Sequence, residues 1–382
     1  MKIKVGFFAS SFFNRYGSGT GKHFAIVCKL LCTEFNSKVE VNLFCNNSEQ
    51  FFSLRNDREF TNANVILLPP VKGKWLRSSR QYFKYALLST QNKIDILHFS
   101  VPRFYPFFWI FPAKKFVCTF HAGGDIVNET DSFILSQKIY NFTAKAFFRK
   151  FDAIIAVSEF GKNEIASAYG IPSELISVMH VGTDDIWSTN LNPTNKYLRN
   201  GKKLIVIIGR WQRFKNVHVI AQALAKATPT ELDQYYFIFV GKKITSNANI
   251  IAEHLSHVCD EAYETIEYLD EENYAEIISV ADLVIVPSLS EGFSHPVFDA
   301  FSFATNLLVH GPSPAAQILI NRNGVLVADL SNSSNIMNLI KEATEMPRGN
   351  LLDNREFLTS IEATWGALTG NYLKLYTDLN DH

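Results

Sequence analysis

Short apolar runs recur along this chain, each ending in a polar or glycine-bearing loop before a stretch of helical spacing, and the alternation restarts once near the middle. Residues 3–9 read as a buried strand, and 39–44, 65–68, 94–99, 116–120 and 153–157 continue the series, with helical spacing over 21–35. Residues 192–201 are polar, contain Pro193 and Gly201, and read as a linker. Strand-like runs then reappear at 204–208, 236–240, 283–286, 307–309 and 325–327, separated by helical patterns such as 217–227. Strands alternating with helices predict βαβ units and a parallel sheet. Two such series in 382 residues predict two doubly wound α/β domains facing each other across a cleft. In such sheets ligands bind beyond the carboxyl ends of the strands, so the chemistry is expected in the loops that follow them.

Composition narrows the classes. With 47% hydrophobic and 19% charged residues the chain is not disordered and can build a large core. Its 37 basic and 37 acidic residues cancel, which argues against a nucleic-acid binder. The balance hides a split: residues 1–190 hold 22 Lys and Arg against 15 Asp and Glu, and the remainder holds 15 against 22. The five cysteines are odd in number and include no C-x-x-C pair, which suits a reducing cytosol rather than a disulfide framework or a zinc site. The first residues are too short for a signal-peptide core, and no run of about 18 apolar residues exists. A cytoplasmic protein is expected.

Four loops carry candidate chemistry. Gly17-Ser18-Gly19-Thr20-Gly21-Lys22-His23 follows the first strand and opens a helix, where backbone N–H groups and the helix dipole suit an anion. It matches neither the dinucleotide fingerprint nor the P-loop, because Tyr16 and His23 break the latter; the plain alternative is a flexible turn. Thr119-Phe120-His121-Ala122-Gly123-Gly124-Asp125 ends another strand and offers His121 as a hydrogen-bond partner or proton carrier, or as a structural histidine. Gly209-Arg210-Trp211-Gln212-Arg213-Phe214-Lys215-Asn216 opens the second domain. Arg210 supplies a planar fork and Lys215 a point charge, which suit a diphosphate; a solvated basic turn is the alternative. The fourth runs from Pro287 through Ser290-Glu291-Gly292-Phe293-Ser294-His295-Pro296 to Asp299 and Ala300. A helix is expected to start near Pro296, with carboxylates on both sides of that start able to accept bonds from sugar hydroxyls. Alternatively, Glu291 caps the helix and Asp299 favours its dipole.

Taken in order, these pieces resemble the GT-B glycosyltransferases, specifically glycosyltransferase family 4, over nearly the whole chain. The fourth loop is similar to that family's E-x7-E signature, here Glu291 and Asp299, and residues 156–162 and 178–184 match further segments. The resemblance implies two Rossmann-like domains: 1–190 for the acceptor, 191–360 for a nucleotide-sugar, and a terminal helix, 361–382, crossing back to the first domain. It implies retaining transfer of a hexose-type sugar without an essential metal or cofactor. By that resemblance Arg210 and Lys215 grip the diphosphate, Glu291 binds donor-sugar hydroxyls, and the backbone of Gly292, Phe293 and Ser294 lies beside sugar and phosphate. Asp299 holds the ribose, His121 sits near the donor sugar, and Gly17, Gly19 and Lys22 lie near phosphate or acceptor.

Three residues depart from the family pattern. Asp299 is one methylene short of the usual glutamate, Ser294 replaces a common glycine, and Val181 stands where many members have Asn. No D-x-D motif suggests a metal-bound diphosphate, and Arg210 and Lys215 can serve as its counter-charge. The expected donor is a UDP- or GDP-sugar and the acceptor a glycan or lipid-diphosphate, in surface polysaccharide or glycolipid synthesis. Basic residues mixed with aromatics at 72–85, and the aromatic cluster at 103–109, suit peripheral binding to the anionic inner face of a membrane, or ordinary core packing. A sugar-nucleotide epimerase and a non-catalytic sugar-nucleotide-binding scaffold are the competing readings.

Overall fold

The computed structural model describes residues 2–8, 19–45, 48–68, 93–99, 112–121, 148–187, 195–197, 201–243 and 247–381. Gly17, the stretches 72–85 and 103–109, and residues 122–125 lie outside the described residues. The chain divides into two compact units, Met1–Gly182 with Glu362–His382, and Thr183–Ile361.

The first unit is built on seven strands: β1 (Ile3–Phe8), β2 (Val39–Cys45), β3 (Asn64–Leu67), β4 (Ile94–Phe99), β5 (Ala113–Phe120), β6 (Ala153–Ala156) and β7 (Ile176–Val178). They lie in the order β3-β2-β1-β4-β5-β6-β7, and every pairing is parallel. Both faces of a parallel sheet are covered, so its central strands are apolar almost throughout, as in β1, where all residues but Lys4 are buried. Phe8, Phe44, Phe99 and Phe120 pack into one core on this sheet. Helix α1 (Gly19–Thr33) follows β1, α2 (Ser48–Asn56) follows β2, and α3 (Glu159–Tyr169) follows β6. Ser158 caps α3 by accepting from the Gly161 amide, and Gly170 ends it in the left-handed conformation. The C-terminal helix, Trp365–Asp381, belongs to this unit and buries Trp365, Leu368, Tyr372 and Tyr376, with α1 among its neighbours.

The second unit has six parallel strands: β8 (Lys203–Ile208), β9 (Tyr235–Val240), β10 (Tyr263–Ile266), β11 (Leu283–Val286), β12 (Asn306–His310) and β13 (Val325–Ala328). Their order is β10-β9-β8-β11-β12-β13. Helices α4 (Val217–Lys226), α5 (Asn247–Leu255), α6 (Glu271–Val280), α7 (His295–Ser302), α8 (Pro314–Leu319), α9 (Ile336–Glu345) and α10 (Leu351–Ser360) are interleaved with the strands or follow them. β8 and β11 are runs of Val, Ile and Leu in which every apolar residue is buried, as strands at the centre of a doubly wound sheet require. In each unit the strand order reverses beside the first strand, between β1 and β4 and between β8 and β11. Such a reversal opens a crevice at the carboxyl ends of the two strands.

The architecture is α/β with two Rossmann-like sheets, and the strand runs read from sequence fall on the observed strands. Sequence reading missed β7 and β10. Both are short edge strands whose residues are mostly part-exposed, so neither shows as an apolar run. Among the described residues, no helix is long and apolar enough to cross a membrane.

Candidate functional site

In the second unit the reversal point lies between Ile208 and Val286, and the two loops leaving it carry the predicted residues. The first begins Gly209-Arg210-Trp211. Its backbone is tied to the neighbouring strand end: the Gly209 amide donates to the Val240 carbonyl at 3.0 Å and the Trp211 amide to the Lys242 carbonyl at 3.0 Å. This close approach needs glycine at 241, where φ is +156° and an added Cβ would lie 2.1 Å from the Gly209 carbonyl oxygen. Trp211 is buried beneath, and the Lys243 ammonium sits 5.1 Å from its ring centroid.

A single turn, Arg213–Lys215, then brings Lys215 back toward the second loop. The two loops are latched by the Leu289 amide, which donates to the Phe214 carbonyl at 2.8 Å. The Lys215 ammonium thereby meets Oε1 of Glu291 at 2.5 Å, with both side chains only 15% exposed. At that burial, removing either partner would leave the other charge uncompensated. Arg210 is half-buried, and its guanidinium makes no hydrogen bond or ion pair among the described residues. The same loop thus carries an unspent cation and one paired with a carboxylate.

The second loop runs into α7. Glu291 does not cap that helix, since its carboxylate is taken by Lys215. The cap position is Ser294, whose side chain makes no capping bond. Ser294 has φ +78°, a left-handed conformation that disfavours a side chain and suits the glycine common at this place in family 4. The hydroxyls of Ser288, Ser290 and Ser294 are buried without a partner among the described residues, although Ser288 is 2% and Ser294 6% exposed. Buried polar groups are nearly always bonded, so these three hydroxyls are donors and acceptors that water or a ligand at this loop can satisfy. Phe293 stacks on Phe298 with ring centroids 4.2 Å apart, which pins the loop to the helix.

Asp299 lies a turn further in and is 1% exposed. Its Oδ2 accepts from the Tyr274 hydroxyl of α6 at 3.0 Å. The carboxylate is therefore engaged within the protein, and Tyr274 belongs to the site although sequence reading did not single it out.

In the first unit Gly19 starts α1 and Lys22 lies in its first turn, half-buried. His121 follows β5. Burial pushes its imidazole down to about 3, so the ring is neutral at physiological pH, and its Nε2 is buried without a partner among the described residues. The described residues contain no cluster of three or more His, Cys, Asp or Glu that could hold a metal ion.

Two family models match the chain, Glycosyltransferase Family 4 over residues 25–186 and Glycosyl transferases group 1 over residues 191–356. The O-antigen chain mannosyltransferase RfbU of Salmonella typhimurium is 25% identical over 255 residues, which are 62% of this chain and 67% of that protein. Among solved structures, sucrose-phosphate synthase from Thermosynechococcus elongatus has a TM-score of 0.74 at 14% identity, covering 99% of this chain and 99% of that one. HepE of Anabaena in complex with UDP and glucose has a TM-score of 0.68 at 15% identity, covering 99% of this chain and 97% of that one. A glycosyltransferase from Rickettsia africae has a TM-score of 0.72 at 17% identity, covering 99% and 98%. At these identities the solved structures speak to the fold alone.

Proposed function

The chain belongs to the GT-B glycosyltransferases of the family 4 type, and from that premise we propose that it transfers a hexose from a nucleotide-sugar to a glycan or lipid-linked acceptor, with retention and without a metal. The observation that carries the reading is the Lys215–Glu291 pair joining the two loops at the β8–β11 reversal point, with Arg210 on the first loop and unpaired serine hydroxyls along the second. When the glycosidic bond breaks, its electron pair goes to the diphosphate oxygen, and negative charge grows there. Arg210 offers its free guanidinium to that charge. Lys215 has three N–H donors, so it can keep one on Glu291 and turn others to phosphate. Donors aimed at developing charge lower a barrier by about 2.7–4 kcal/mol each, by analogy with an oxyanion hole. Glu291, held in place by Lys215, has its second oxygen for the sugar hydroxyls.

The RfbU relative supports an acceptor in surface polysaccharide synthesis, and the UDP-bound neighbour supports a uridine or similar nucleotide on the donor. A thermal-shift panel of UDP-, GDP- and ADP-sugars tests the reading. A true donor at about 100 times its Kd stabilises the fold by about 2.7 kcal/mol. One nucleotide standing out, with the shift lost in Arg210→Ala, supports a donor site at this point. No shift with any sugar-nucleotide sinks it, and binding without turnover leaves the scaffold reading in its place.

A further inference from the structure

One cluster of buried polar side chains outside the donor loops lies in the first unit, around the reversal between β1 and β4. His23 lies near the start of α1, His98 on β4, Thr119 on β5, and Tyr372 and Tyr376 one turn apart on the C-terminal helix. They form one continuous chain of bonds. The Tyr376 hydroxyl is 2.5 Å from His98 Nδ1, His98 Nε2 is 2.8 Å from Thr119 Oγ1, Thr119 Oγ1 is 2.9 Å from the Tyr372 hydroxyl, and that hydroxyl is 3.0 Å from His23 Nε2. None of the five residues is more than 1% exposed. The ring of His23 then meets that of His121 edge-on, with centroids 4.7 Å apart and planes at 83°.

Proton count constrains this chain. Burial holds His98 neutral, so it carries one ring proton and must donate through one nitrogen and accept through the other. Thr119 and Tyr372 have one hydroxyl proton each. Each can therefore donate to at most one of its two partners and must accept from at least one of them. The orientation of the His23 ring is therefore tied to the C-terminal helix through Tyr372.

We propose that Tyr372 is a positioning residue for His121: its hydroxyl fixes the His23 ring, and the T-shaped contact between the two rings fixes the plane in which His121 presents Nε2 to a ligand. The proposal rests on the reading of His121 as a residue that faces the ligand. It gives the C-terminal helix a part in the chemistry beyond packing, because that helix supplies a hydroxyl to the network on which His121 leans.

Side-chain 1H–15N correlation spectra of the full, ligand-free chain test it without any assay of transfer. Tyr372→Phe is expected to move the His121 ring resonances. His23→Gln keeps an acceptor for the Tyr372 hydroxyl but removes the ring edge, and it is expected to move them as well. With an active donor, Tyr372→Phe should lower kcat by about 10- to 100-fold, the scale seen for partners that orient metal-bound histidines, and change donor KM less. Unmoved His121 resonances in folded Tyr372→Phe overturn the proposal. Should that variant not fold, His23→Gln decides in the same way. If the wild type transfers from no donor, the transferase reading fails while the spectra still decide the network.

Discussion

Acid should unfold the first unit through His98, and the effect can be sized. The ring is 1% exposed, and burial, with the neighbouring His121 adding to it, pushes it from 6.5 to about 3. In the unfolded chain the ring titrates at its ordinary value. A folded value below the unfolded one means that the native state binds fewer protons, so stability is full above pH 6.5 and falls as pH drops toward about 3. Each pH unit inside that window removes about 1.4 kcal/mol, so near pH 5 His98 alone withdraws about 2 kcal/mol. For a unit of about 200 residues this corresponds to roughly 4–8 °C in the melting transition. Scanning calorimetry at about pH 7.5 and pH 5, on the wild type and His98→Gln, reads the difference. Gln donates and accepts but does not titrate, and His121 is present in both proteins, so the comparison isolates His98. The wild type should lose more stability across the interval than the variant, by about 2 kcal/mol. Parallel losses in the two proteins would refute the assignment of a buried neutral His98.

Three further outcomes follow from the second unit. Ser294→Gly removes a side chain from a residue at φ +78° together with an unpaired buried hydroxyl, and should stabilise that unit by about 1 kcal/mol in denaturant melts after glycine's own entropy cost; a net loss contradicts the strain. Lys215→Met leaves Glu291 without its cation at 15% exposure, so stability should fall by about 3 kcal/mol and kcat by about 100- to 1,000-fold; an unchanged kcat removes Lys215 from the chemistry. EDTA should leave the transfer rate unaltered, and a large loss restored by manganese would show that a metal, rather than Arg210 and Lys215, balances the diphosphate.

The sheets were legible because central parallel strands are buried on both faces and read as unbroken apolar runs, as in Leu204–Ile208 within β8. The edge strands β7 and β10 were not, because Ser177, Glu264 and Thr265 interrupt any such run. The loops after strands were also legible, and topology explains why: Lys215 and Glu291 are 76 residues apart in sequence, yet they leave adjacent strands of the sheet. What sequence alone could not supply was the partner of each polar group. Asp299 reads as a short substitute for glutamate, while the structure binds it to Tyr274, a residue on another helix. The histidine–tyrosine chain is hidden for the same reason. Its bond from His23 to Tyr372 spans 349 residues, and neither residue carries a local motif that announces the other.

In the proposed function, the loops at the β8–β11 reversal hold a nucleotide-sugar and drive its cleavage. Its most direct measurement is nucleotide release from a panel of UDP- and GDP-sugars in EDTA, with wild type, Arg210→Ala and Glu291→Ala side by side. Release from one donor class is expected for the wild type, and its loss in both variants while they remain folded. Release that persists in both variants, or a wild type that binds a donor but releases no nucleotide from it with any acceptor, contradicts the account.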